Sequence, residues 1–158
     1  MIFVTVGTQL PFDRLIKAVD DWAGANPGAE VFAQIGPTEF RPRHVESVAF
    51  LKPDHADRLF RTATQIISHA GMGSIITSLK YRKPLLIVPR MASLGEHRND
   101  HQLATAKWLG SRGGINVAWS EGDVPKFLDG LLQFSQVGEI SDNADPQFIT
   151  RLRDAIFQ

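Results

Sequence analysis

Short apolar, β-branched runs alternate along this chain with segments whose apolar residues recur at helical spacing. Ile2–Val6 is an apolar, β-branched run, the pattern of a strand buried on both faces. Phe12, Leu15, Ile16, Val19 and Trp22 follow at helical intervals, and Asn26-Pro27-Gly28 ends that helix. Val31–Ile35 and Val45–Leu51 read as the second and third strands, parted by Gly36-Pro37 and Pro42. The alternation then predicts a helix over Pro53–Ala63 with Leu59 and Phe60 inward, and a strand over Thr64–Ser68. Next come a helix over Gly73–Tyr81, a strand over Pro84–Val88 and a helix over His101–Leu109. Ile115–Trp119 gives a last strand and Val124–Phe134 a helix. The polar stretch Gln136–Asp145 reads as a joint to a C-terminal helix over Pro146–Phe157.

Strands alternating with helices imply βαβ units, and so a parallel sheet covered by helices on both faces. Six strands in this order predict one α/β domain over residues 1–158, a doubly wound, mostly parallel, Rossmann-like sheet. In such sheets a ligand lies beyond the C-terminal ends of the strands, where strand order reverses. That rule points to Gly7–Gln9, Gly36–Phe40, His69–Ser74, Pro89–Gln102 and the residues after Trp119.

Composition narrows the chemistry. The chain has 158 residues, 43% of them hydrophobic, which is enough for a sizeable core in one domain. It contains no cysteine, which excludes a disulfide scaffold, a thiolate metal site and a cysteine nucleophile together. Seventeen basic residues balance seventeen acidic ones, whereas a surface that tracks nucleic-acid phosphates needs an excess of Lys and Arg. The opening Met-Ile-Phe-Val-Thr-Val lacks a basic n-region and breaks at Gly7, so no signal peptide is expected. The apolar runs fall far short of the roughly 20 residues that span a bilayer. A soluble, cytoplasmic chain is the expectation, with any membrane contact made through a surface patch or a partner.

Three of the loops carry candidate chemistry. In Val6-Gly7-Thr8-Gln9 a glycine permits a sharp turn and Thr8 offers a hydroxyl and an amide at the cleft edge, although a capped strand-to-helix turn explains the loop as well. In Ser68-His69-Ala70-Gly71-Met72-Gly73-Ser74 small residues let backbone amides approach a ligand, and the following helix presents free N–H groups and the positive end of its dipole. Such an end suits an anion, above all a diphosphate. The segment is neither a Rossmann glycine fingerprint nor a Walker A loop, and a tight turn with a core histidine is the plain alternative. The third stretch, Pro89 to Gln102, concentrates Arg90, Glu96, His97, Arg98, Asn99, Asp100, His101 and Gln102 at the ligand edge, a set suited to sugar hydroxyls and phosphate. His97 and His101 stand at the spacing of a helical metal pair, but H-R-N-D-H lacks the glutamate of H-E-x-x-H, and no metal is expected. No D-x-D element follows a strand; Asp20-Asp21 reads as a solvated helix face. No G-x-S-x-G elbow is present either.

Taken in order, four segments carry a resemblance. They are Phe3-Val4-Thr5-Val6-Gly7-Thr8 with Phe12-Asp13-Arg14-Leu15-Ile16, then Ser68 to Ile75, then Lys83-Pro84-Leu85-Leu86-Ile87-Val88-Pro89, and finally His97 with Asn99 to Ala104. Together they resemble the C-terminal domain of family 28 glycosyltransferases. More narrowly, they resemble the small Alg13-like subunits and bacterial exopolysaccharide or capsule transferase subunits of the EpsF or PssE type. The likeness runs from about residue 2 to about residue 133.

The resemblance implies the donor-binding half of a GT-B glycosyltransferase, holding a UDP-sugar without metal or other cofactor. It places the diphosphate loop on Gly71, Met72, Gly73 and Ser74 and the first-strand loop on Gly7 and Thr8. It places donor-sugar contacts on His101 and Gln102, with Asn99 beside them. One departure stands out. The family's ribose-gripping glutamate lies seven residues before the proline of the next strand, and counting back from Pro84 gives Thr77. A threonine cannot hold two ribose hydroxyls bidentately, so that role is lost or moves to Glu96. His69 is the candidate catalytic group within this chain, and Arg90 or Arg98 can add positive charge. The general base would come from a membrane-anchored Alg14-like partner that recruits a polyprenyl-diphosphate-linked saccharide, which would hold this chain at the inner face of the cytoplasmic membrane. Phe148, Ile149, Leu152, Ile156 and Phe157 form a candidate docking stripe. Self-association is left open. A non-catalytic nucleotide-sugar-binding or scaffold subunit is the alternative, followed by a UDP-sugar epimerase or hydrolase.

Overall fold

The computed structural model describes residues 1–110, 115–130, 146–147, 150 and 153–154. The chain runs β1 (Ile2–Thr5), α1 (Asp13–Ala25), β2 (Val31–Gln34), β3 (Glu46–Val48), α2 (Pro53–Thr62) and β4 (Gln65–His69). It continues through α3 (Met72–Lys80), β5 (Leu85–Val88), α4 (His101–Gly110), β6 (Ile115–Val117) and α5 (Val124–Gly130). Single 3-10 turns precede α4 and α5, at Ala92–Leu94 and Glu121–Asp123.

The six strands among the described residues are all parallel, in the order β3-β2-β1-β4-β5-β6. This is the doubly wound sheet that the alternation of patterns predicts, and its order reverses between β1 and β4. The two faces are built by the period of two along each strand. Val4, Leu86 and Val88 point to a face covered by Leu15, Ile16 and Val19 of α1 and by Val124 and Leu128 of α5. Phe3, Leu85 and Ile87 point to the other, covered by Leu59 and Phe60 of α2, Ile75 and Leu79 of α3 and Leu109 of α4. Phe3 meets Phe60 edge-on, with ring centroids 5.2 Å apart.

Several boundaries differ from the sequence pattern for local reasons. The third strand spans only Glu46–Val48, because as an edge strand it pairs with three residues of β2 alone. Strand β4 runs one residue further, to His69, which pairs with Val88. Helix α1 starts after Phe12, whose fully buried ring occupies the cap position. Asp20 is not part of a solvated face. It is 4% exposed, and its carboxylate accepts the backbone N–H groups of Arg43, His44 and Val45 at 2.7–3.1 Å. A carboxylate at that point on α1 therefore shapes the chain entering β3, while Asp21 faces solvent.

The joint at 136–145 and the residues Phe148, Ile149, Leu152, Ile156 and Phe157 lie outside the described residues. Among the described residues no helix is long and apolar enough to cross a membrane.

Candidate functional site

The C-terminal ends of β1, β4 and β5 open onto a cleft of about 290 Å³. Val6 to Leu10 line it from the β1–α1 loop, and His69, Gly71, Gly73 and Ser74 from the β4–α3 loop. Arg90, His97, His101 and Gln102 complete it from the segment after β5. Loops distant in sequence meet here because β1 and β4 are neighbours at the reversal of strand order.

The first wall is held from beneath by a buried amide. Gln34, at the end of β2, accepts the Thr5 hydroxyl at 2.7 Å and donates to the carbonyls of Gly7 and Ala49, both at 2.8 Å. Gly7 has φ +76°, a left-handed backbone that disfavours any side chain. The turn leaves Thr8 and Gln9 exposed on the cleft rim.

The second wall rests on His69, whose ring is wedged between two glycines. A Cβ added at Gly71 would lie 2.2 Å from His69 Nε2, and one at Gly7 would lie 2.9 Å from Cε1. Gly71 is therefore required by the histidine itself, a reason the spacing of glycines alone does not reveal. His69 Nδ1 lies 3.5 Å from the Thr5 carbonyl oxygen. Burial, then the nearby Arg90 charge, lower its pKa from 6.5 to about 4, so the ring is neutral at physiological pH. Gly71 also caps α3 and offers no side-chain acceptor to the first-turn N–H groups. A Cβ at Gly73 meets nothing within 4 Å, so the space beside the first turn of α3 at this position is open.

The third wall is a polar lattice. Glu96 takes Arg14 at both carboxylate oxygens, Nε at 2.8 Å and Nη2 at 2.9 Å, and accepts the Met91 N–H at 3.0 Å. It is 9% exposed and does not line the cleft. Asn99 accepts the His101 backbone N–H at 3.3 Å and contacts its Nδ1, which fixes the imidazole at the start of α4. His97 and His101 meet edge-on with ring centroids 4.5 Å apart. Gln102 is buried and accepts the Arg90 N–H at 3.2 Å. Among the described residues no three His, Asp or Glu side chains converge to hold a metal ion.

Of the residues expected at the site, Gly7, Thr8, His69, Gly71, Gly73, Ser74, His101 and Gln102 line one cleft. Met72 is 48% exposed and outside it, although its backbone lies in the first turn of α3. Thr77 also lies outside and donates its hydroxyl to the Gly73 carbonyl at 2.8 Å. Asn99 stands behind His101, and Arg98 is exposed. Gln34 escapes sequence reading altogether; its signal is an amide at the C-terminal end of an otherwise apolar strand.

Residues 1–149 match the glycosyltransferase family 28 C-terminal domain. The chain belongs to this family. It is 30% identical over 125 residues to the mouse protein described as UDP-N-acetylglucosamine transferase subunit ALG13, a match that covers 70% of this chain and 10% of that relative. The chain thus spans about a tenth of the mouse protein. The solution structure of ALG13 aligns over 99% of this chain and 96% of its own, with TM-score 0.59 and 20% identity. The kitacinnamycin glycosyltransferase aligns over 97% of this family 28 domain but only 37% of its own length, with TM-score 0.64 and 17% identity. The fold is that of one half of a GT-B glycosyltransferase.

Proposed function

We propose that this chain is the donor-binding subunit of a two-component, inverting GT-B glycosyltransferase that uses a UDP-sugar. The observation that carries this reading is the uncapped N-terminus of α3, which opens onto a cleft at the reversal of strand order. First-turn N–H groups aimed at an open space suit the diphosphate of a nucleotide sugar. The mouse relative's description as a UDP-N-acetylglucosamine transferase subunit supports a UDP-sugar as donor.

Transfer needs a stabilised leaving group, an activated acceptor hydroxyl and their alignment. Gly71 to Ser74 supply the first, by facing charge as it develops on the departing UDP. A diphosphate beside His69 raises the ring's proton affinity; in the protonated ring Nδ1 donates to the Thr5 carbonyl and Nε2 to a phosphate oxygen. His101 and Gln102 are assigned to the sugar hydroxyls, with Asn99 orienting His101. Glu96 is already engaged by Arg14, so ribose recognition is assigned to neither Glu96 nor Thr77. No metal or other cofactor has a role in this scheme. The base and the lipid-linked acceptor come with a membrane-anchored, Alg14-like partner, and the product belongs to exopolysaccharide or capsule synthesis.

The test is reconstitution. Purified alone, the chain should bind a UDP-sugar and transfer little; co-expressed with its membrane partner, it should glycosylate a polyprenyl-diphosphate-linked saccharide. Robust transfer by the isolated chain contradicts the split active site. If the pair carrying His69→Ala and His101→Ala keeps full turnover, this subunit is a scaffold instead.

A further inference from the structure

Arg90 is 3% exposed, yet its guanidinium meets no carboxylate among the described residues. Instead it is caged by main-chain oxygens. Nη2 donates to the carbonyls of Val6 and Leu10, both at 2.7 Å, and Nη1 to those of Pro11 at 2.7 Å and Glu96 at 3.0 Å. The face of Phe12 lies 4.7 Å from its central carbon. Three of these four carbonyls belong to the β1–α1 loop, so one side chain from the end of β5 draws both ends of the Gly7–Gln9 turn to a fixed place.

Burying a cation without a carboxylate is costly, and the chain has an acidic group close by. Glu96 sits six residues on, but both its oxygens are taken by Arg14, which also reaches Glu121 at 3.4 Å. The direct ion pair of Glu96 is therefore with a different arginine, and Glu96 acts on Arg90 only through space, offsetting part of the cost of burying it. Burial lowers its pKa only to about 10, so it stays protonated at neutral pH. Its field reaches the opposite wall, where it helps to keep His69 neutral.

We infer that Arg90 is the positioning residue of the anion site: it clamps the Gly7–Gln9 turn opposite the α3 N-terminus and holds a buried guanidinium, in direct contact with no carboxylate, between the two walls. The inference rests on the donor-site reading and deepens it by naming what sets the preference for a diphosphate. A carbonyl cage suits this task because it holds the fork rigidly without cancelling its charge, whereas a carboxylate would do both.

The experiment is calorimetric titration of the wild type, Arg90→Lys and Arg90→Met with UDP and with UMP, with the melting temperature of each. The wild type should favour UDP over UMP. Arg90→Met should lose about tenfold or more in UDP affinity and most of that preference, because a buried charge acts strongly on the added phosphate. Arg90→Lys keeps the charge without the fork and should lie between them. Equal loss of UDP and UMP affinity in Arg90→Met, or an unchanged UDP affinity, overturns the inference and leaves Arg90 a structural residue. Should Arg90→Met fail to fold, Arg90→Lys decides, since a UDP-to-UMP ratio equal to that of the wild type overturns the proposal. If the wild type itself binds no UDP, the donor-site reading falls first.

Discussion

At the scale of the residue, the site is governed by side chains that serve one another before they serve a ligand. His69 fits only because positions 7 and 71 carry no Cβ. The same enclosure makes it a proton-linked group. Its pKa is about 4 in the folded chain against 6.5 for an unperturbed histidine, so between those values the unfolded chain binds a proton that the folded chain does not. Its contribution to stability is therefore intact above about pH 6.5 and is lost as pH falls toward 4. Urea unfolding across this window should show wild-type stability falling more steeply than that of His69→Gln; parallel profiles would contradict the enclosure. The residue scale is also where the sequence was least legible. Glu96 reads as a sugar ligand because it stands among polar residues, but Arg14, far away in sequence, claims it. Gln34 and the carbonyl cage of Arg90 are likewise long-range pairings that no local spacing encodes. Glycines and histidines at a strand end, in contrast, announce themselves.

Elements decide where those side chains meet. Helix α3 begins at the mouth of the cleft with Gly71 as its cap and no side-chain acceptor for its first N–H groups. Gly73, in the first turn, has open space where a Cβ would go. A glycine inside a helix costs roughly 1 kcal/mol relative to a good helix former, so its presence here trades stability for access. Gly73→Leu should therefore fold at least as stably as the wild type and yet lose about tenfold or more in UDP affinity, a difference of about 1.4 kcal/mol. Calorimetry together with thermal melting checks both halves; undiminished UDP binding removes α3 from the donor site. The strand and helix order was readable because period two and period 3.6 are properties of the chain itself. Element ends were less so, since the register of β3 on β2 and the seating of Phe12 depend on neighbours.

For the whole molecule, the order β3-β2-β1-β4-β5-β6 brings three loops to one edge, and the cleft lies where doubly wound sheets hold their ligands. Among the described residues the two faces of the sheet are both covered, by α1 and α5 on one side and α2, α3 and α4 on the other. The proposed transfer reaction places the donor at this edge and the acceptor on a partner subunit across the cleft. Donor binding at this edge is the central claim, and residue-resolved NMR tests it most directly. On titration of the isotopically labelled chain with UDP, the amides of Gly7, Thr8, Gly71, Gly73 and Ser74 should shift together, with His101 and Gln102 following when a UDP-sugar replaces UDP. Shifts confined to the groove beside β6 at Lys107, Asn116 and Trp119, or no shifts at all, would contradict the account.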